Sequence, residues 1–210
     1  MRMRGTTGGH LVAQRRTAAM RGGRAVPINR VATTTHYLDG NVGDFVIHKQ
    51  KPGRGYRHVL TRKDVARFLT ILPDWPLLRQ DFNAVVLATA EPDGLCQGWH
   101  RSGVIGVCAW KAGLWDVWPA DFYGEHAPLL RRLGVPVRKA GGQYECRFTE
   151  ATVRAYQLLH VLTHELGHHL DRMTTRSQWQ ASRGESFAEA RAWELEAEVF
   201  EAYGRVFGFD

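Results

Sequence analysis

A chain of 210 residues with 44% hydrophobic and 23% charged residues has the composition of a globular protein able to bury a sizeable core. No run approaches the roughly 18–20 consecutive apolar residues of a membrane helix, and the basic opening residues lack the apolar stretch of a secretory signal. Cys96, Cys108 and Cys146 are far apart in sequence and form no CxxC pair, which argues against a disulfide scaffold or a cysteine zinc site and fits a reducing cytoplasm.

The net charge of +7 is local. Arg2, Arg4, Arg15, Arg16, Arg21, Arg24 and Arg30 all precede the first acidic residue, Asp39, and these seven account for the whole excess. Residues 1–40 are therefore expected to form a flexible basic tail, rich in Arg and Gly and without apolar periodicity. Residues 41–210 form one near-neutral globular domain. The tail offers phosphate contacts to nucleic acid. The other readings of it are a targeting peptide or a start of translation at Met20.

Along the domain, Thr61-Arg-Lys-Asp64 reads as an N-cap with an acid three residues on. Val65, Phe68, Leu69 and Leu72 follow at helical spacing up to Pro73. Ala84–Ala88 is a buried-strand candidate closed by the turn residues 91–94. Val104–Trp110 and Leu114–Trp118, separated by Lys111-Ala-Gly113, predict a β-hairpin. Glu125–Leu133 predicts a helix ended by Gly134, and Tyr144–Phe148 a strand. Trp99, Trp110, Trp115 and Trp118 are expected to pack in the core rather than line a binding face.

The chemistry concentrates in the last sixty residues. Glu150–Met173 holds no proline, follows a well-placed N-cap in Thr149, and carries Val153, Leu158, Leu159, Val161, Leu162, Leu166 and Leu170. This predicts a long, mostly buried helix with His164-Glu165-Leu166-Gly167-His168 at its middle. A four-residue step turns a helix by about 400°, so His164 and His168 project from one face, one turn apart. At that separation two imidazole nitrogens can both reach one Zn²⁺ at roughly 2.0–2.1 Å. Glu165 points near the same side without ligating and can accept a proton from an attacking water. Without a metal, three polar residues on so apolar a helix would be costly to bury.

HELGH within a helix resembles the active-site helix of the zincin metallopeptidases. The resemblance covers about the last sixty residues and implies zinc, a peptide or protein substrate, and Glu165 as general base. The metzincin pattern would place glycine where Asp171 stands and histidine where Thr174 stands, and is excluded. Asp171 is expected to support the site or to form a salt bridge, because a carboxylate farther along the same helix would lie too far from the metal. Gluzincins take their third ligand from the following helix, which resumes here near Glu185 with Ala188, Ala192, Val199 and Tyr203 on its apolar stripe. The roughly twenty-residue offset of gluzincins favours Glu189 as third ligand, with Glu185 and Glu194 as alternatives. If Glu185 ligates, Glu189 becomes its supporting neighbour. Small residues around Glu189 would let the two helices approach closely.

His160 is expected to be a packed or supporting histidine, and His169 to meet solvent or an acid. The sequence singles out no oxyanion stabiliser, and Tyr156, Arg183 and Tyr203 stay open for that role. The resulting expectation is an α+β, zincin-like fold: a small mixed or antiparallel sheet packed on the HExxH helix, completed by a C-terminal helix. In zincins an edge strand lies along the cleft, and the 104–118 hairpin is the candidate for it. A zinc-binding module without turnover, associated with nucleic acid through the tail, is the alternative to a peptidase.

Overall fold

The computed structural model describes residues 18–21, 24–27, 45–73, 75–90, 96–175 and 183–209. Within the stretch read as a tail, β1 (Ala18–Arg21) and β2 (Arg24–Pro27) pair as an antiparallel hairpin. The rest of that stretch, like the turn expected at 91–94, lies outside the described residues.

The fold from residue 45 onward is α+β. β3 (Val46–Lys49), β4 (Tyr56–Arg57), α1 (Arg62–Leu69), α2 (Trp75–Leu78), β5 (Ala84–Ala88), β6 (Gly98–Arg101) and β7 (Val104–Cys108) come first. They build a four-stranded sheet of order β3-β5-β7-β6, in which β3, β5 and β7 run parallel and β6 is the antiparallel edge. The α1 start is a capping box: Thr61 Oγ1 accepts from the Asp64 N–H, and the Asp64 carboxylate accepts from the Thr61 N–H. Every residue of β5 and β7 is buried, because both faces of the sheet are covered. Val85, Leu87, Ile105 and Val107 face the main core, while Ala84, Val86, Val104 and Cys108 join a smaller cluster with Cys96 and Trp99.

The chain then leaves this sheet. β8 (Trp110–Lys111) pairs with β4, and β9 (Trp115–Pro119) enters a three-stranded antiparallel sheet of order β10-β11-β9. The expected 104–118 hairpin is therefore corrected. β7 is held on both sides by β5 and β6 and has no edge left for β9, so one apolar run serves three different pairings. The turn at Lys111-Ala-Gly113 does form, with the Leu114 N–H donating to the Lys111 carbonyl. α3 (Ala120–Arg132) begins directly after Pro119, ahead of the expected start at Glu125. β10 (Val137–Ala140) and β11 (Gln143–Arg147) close a tight hairpin through Gly141 and Gly142, both at positive φ, as a two-residue turn demands. Trp99, Trp110 and Trp118 pack in the cores as expected, but Trp115 is about half exposed on β9.

α4 (Glu150–Tyr156), a π-helical segment (Gln157–Leu162) and α5 (Thr163–Thr174) run on as one continuous helix. Thr149 and Thr152 form its capping box. Val153, Ala155, Tyr156, Leu158, Leu159, Leu162 and Leu166 are fully buried. At about 1.5–3 kcal/mol for each large apolar side chain removed from water, this helix is the centre of the core.

α6 (Glu185–Phe207) lies along α5, burying Ala188, Ala192, Leu195, Val199 and Tyr203 as a helical stripe. The helices meet at Gly167, where an added Cβ would come within 2.7 Å of the Ala188 Cα. Among the described residues no helix is long and apolar enough to cross a membrane.

One buried charge in α6 has a measurable signature. Glu196 accepts a 2.6 Å hydrogen bond from Arg132, whose guanidinium also lies over the Phe200 ring. Burial nonetheless pushes the Glu196 carboxyl from its ordinary 4.5 up to about 7, with Arg132 acting in the opposite direction. A raised folded-state pKa means that the native state keeps a proton which the unfolded chain has released. The contribution of Glu196 to stability is therefore fully present below about 4.5 and is lost as pH rises through about 7. Urea unfolding at about pH 5.5 and about pH 7.5 should show a smaller loss of stability on raising the pH in Glu196→Gln than in the wild type. Equal losses would disprove the assignment.

Candidate metal centre

The side chains of α5 and the first turns of α6 face each other across the Gly167–Ala188 contact. There, donor atoms of His164, His168 and Glu185 all lie within 4.8 Å of one another. Glu185 Oε2 is 3.2 Å from His164 Nε2 and 3.5 Å from His168 Nε2. Two ligand atoms held at 2.0–2.1 Å around a tetrahedral ion stand roughly 3.3 Å apart, which is close to both Glu185–imidazole separations.

Glu189, the expected third ligand, stands on the other side of the same imidazole. Its Oε2 accepts from His164 Nδ1 at 2.9 Å, which keeps a proton on Nδ1 and makes Nε2, hydrogen-bonded to Glu185, the nitrogen whose proton an ion would displace. The donor set that fits the ion is thus His164, His168 and Glu185. Glu194 is exposed and paired with Arg191 at 2.8 Å.

Electrostatics favour positive charge at this point. Burial alone would lower the His164 pKa, but hydrogen bonds to Glu185 and Glu189 reverse that and raise it to about 10. Glu185 is lowered to about 2, chiefly by its hydrogen bonds with His164 and His168. A proton held this firmly marks a position that a divalent cation can take over.

Glu165 differs from both glutamates. It is buried, outside the donor group, and raised by burial to about 6, with His164 and His168 working against that rise. β6 lies directly against it: a Cβ on Gly98 would come within 2.8 Å of Glu165 Oε1 and of Val161 Cγ1. The edge strand beside the HELGH helix is therefore β6, and not the 104–118 segment, whose β7 portion is interior to the sheet.

Asp171 forms the expected salt bridge and does more. Its carboxylate is almost wholly buried, accepts from Arg183 Nε at 2.7 Å and from the Gly184 N–H at 3.1 Å, and so fastens the residues just before Glu185 to α5. His169 departs from expectation. It is fully buried, with Nε2 at 2.9 Å from the Gln80 carbonyl and its ring against Phe82 and His100.

The three oxyanion candidates are otherwise engaged or placed. Tyr156 donates to Gln97 at 2.8 Å, Arg183 is held by Asp171, and Tyr203 stacks on Phe207 in the core. His160 is buried as expected, and its Nε2 lies 2.9 Å from His126 Nε2. His126, on α3, carries no sequence signal, because 34 residues separate it from His160.

Comparison with protein-family models, curated proteins and solved structures gives no match, so the reading of this centre rests on its own geometry and chemistry.

Proposed function

We propose that this chain is a zinc-dependent peptidase with a gluzincin-type ligand set of His164, His168 and Glu185. The observation that carries the reading is the convergence of the three donor atoms, with Glu185 Oε2 3.2 Å and 3.5 Å from the two imidazole nitrogens and Glu165 next to them but not among them. Zinc held by these donors would supply Lewis-acid polarisation of a carbonyl and a lowered water pKa.

The chain's own residues supply the rest. The Glu165 carboxylate accepts the proton of the attacking water and delivers it to the leaving amine, and its raised pKa near 6 suits a group that must do both. Glu189 keeps the His164 proton on Nδ1 and fixes the ring's orientation. Among the described residues β6 pairs only with β7, so its outer edge is open to an extended peptide, which would then pass beside Glu165.

Zinc per chain, measured by elemental mass spectrometry, tests the ligand set. Glu185→Ala and His168→Ala should each lose one zinc equivalent relative to the wild type. Glu194→Ala should lose none. Glu189→Ala should keep that zinc at saturation but bind it about 10–100-fold more weakly. Full retention in Glu185→Ala would overturn this ligand set, and absence of zinc from the reconstituted wild type would end the peptidase reading.

A further inference from the structure

Behind the first centre lies a second group of metal-ligating side chains. His126 from α3, His160 from the π-helical segment and Glu189 from α6 bring one donor atom each within 4.8 Å of one another. The two histidines are buried, and Trp193 covers them, its ring centroid 4.8 Å from that of His160 and 6.1 Å from that of His126.

The protonation pattern leaves the donors directed inward. His126 Nδ1 lies 2.7 Å from the Phe122 carbonyl and must donate to it, so His126 Nε2 presents a lone pair. That lone pair faces His160 Nε2 at 2.9 Å. His160 Nε2 is then the donor of that hydrogen bond, and His160 Nδ1 is buried as a lone pair without a partner; taking up the proton on Nδ1 would free Nε2 to ligate an ion. Glu189 divides its carboxylate: Oε2 serves His164 Nδ1 and lies 3.7 Å from His160 Nε2, while Oε1 is buried without any partner. An ionised oxygen left in that state is costly, because it gives up its hydration and gains no donor in return.

The backbone supplies an independent pointer. His160 belongs to a π-helical turn inside an otherwise regular helix, a distortion that concentrates at functional sites.

We propose that His126, His160 and Glu189 form a second site for a divalent transition-metal ion. Imidazole nitrogens and one carboxylate suit zinc and its neighbours in the first transition row, and the ion would neutralise the unpartnered Glu189 oxygen. Because Glu189 also holds His164, an ion there sits on the opposite side of that ring from the proposed catalytic zinc. The inference needs neither peptidase activity nor occupancy of the first centre.

Zinc titration of the full chain, followed by equilibrium dialysis and elemental analysis, tests it. The wild type should bind two equivalents, His126→Phe and His160→Gln one, Glu185→Ala one, and Glu185→Ala with His126→Phe none. His126→Phe keeps a ring among Trp118 and Phe122, and His160→Gln provides a second variant should the first not fold. With cobalt(II), the wild type should show a visible absorption component that both histidine variants lack and Glu185→Ala keeps. A single equivalent lost in Glu185→Ala but kept in His126→Phe and His160→Gln would overturn the second site and leave the first. A single equivalent with the opposite dependence would support the second site and overturn the first. No binding at all would overturn both.

Discussion

Glu165→Gln should lower peptide hydrolysis by about 10²–10⁴-fold, the usual contribution of a positioned general base, while zinc content stays at the wild-type level. The substitution keeps the side chain's shape where space is tight, against Gly98 of β6 and Val161 of the helix. What it removes is the ability to take a proton. Glu165 is outside the donor group of His164, His168 and Glu185, so affinity for the ion should be unaffected. Activity within about threefold of wild type would overturn the base assignment, since such a residual rate is far above what loss of a base leaves. A wild-type protein that holds zinc at the first centre yet cleaves no peptide in a broad library would favour a zinc-binding module without turnover.

Gly167→Ala is expected to damage fold and site together. The added Cβ would lie 2.7 Å from the Ala188 Cα and 2.8 Å from the Ala188 carbonyl oxygen. Both are backbone atoms, so no side-chain rotation relieves the clash and α6 must move off α5. Overpacking of this kind costs about 1–3 kcal/mol. Moving α6 also draws Glu185 away from the two histidines, so zinc affinity should fall with the urea midpoint. Gly124→Ala is the control. It lies in α3 with nothing within 4 Å of its Cβ position, and should be neutral or stabilising by about 0.5–1 kcal/mol. A Gly167→Ala protein with wild-type stability and zinc affinity would show that the helices do not cross this closely.

The local parts of this architecture were legible in the sequence and the tertiary parts were not. The Thr61 and Thr149 caps, β5, and the HELGH helix follow from spacing within a few residues, and each appears where its pattern placed it. The third carboxylate depends on where α6 crosses α5. Glu185 and Glu189 are one turn apart on the same helix face, so counting along the chain cannot separate them. The Gly167–Ala188 crossing brings Glu185 to the Nε2 side of His164 and Glu189 to the Nδ1 side. β3 and β6, with the short sequences VIHK and GWHR, show too little alternation to be recognised. The apolar run from 104 to 118 concealed three separate pairings. The β10–β11 hairpin did carry a signal, the Gly141–Gly142 pair, while His126 carried none because only tertiary folding brings α3 beside the π-helical turn.

The three proposed ligands are not equally anchored, which bears on how an ion would leave. His164 and His168 stand on a helix whose upstream half is sealed in the core, where opening requires nearly the whole free energy of unfolding. Glu185 is the first residue of α6, behind a Gly184 that offers no side-chain cap. Helix ends open at a small fraction of the global cost, so release of an ion held there would begin with Glu185 lifting away while both histidines stay in place. The residence time of such an ion would then be set largely by the grip of Asp171 on Arg183 and Gly184, a carboxylate outside the proposed ligand set.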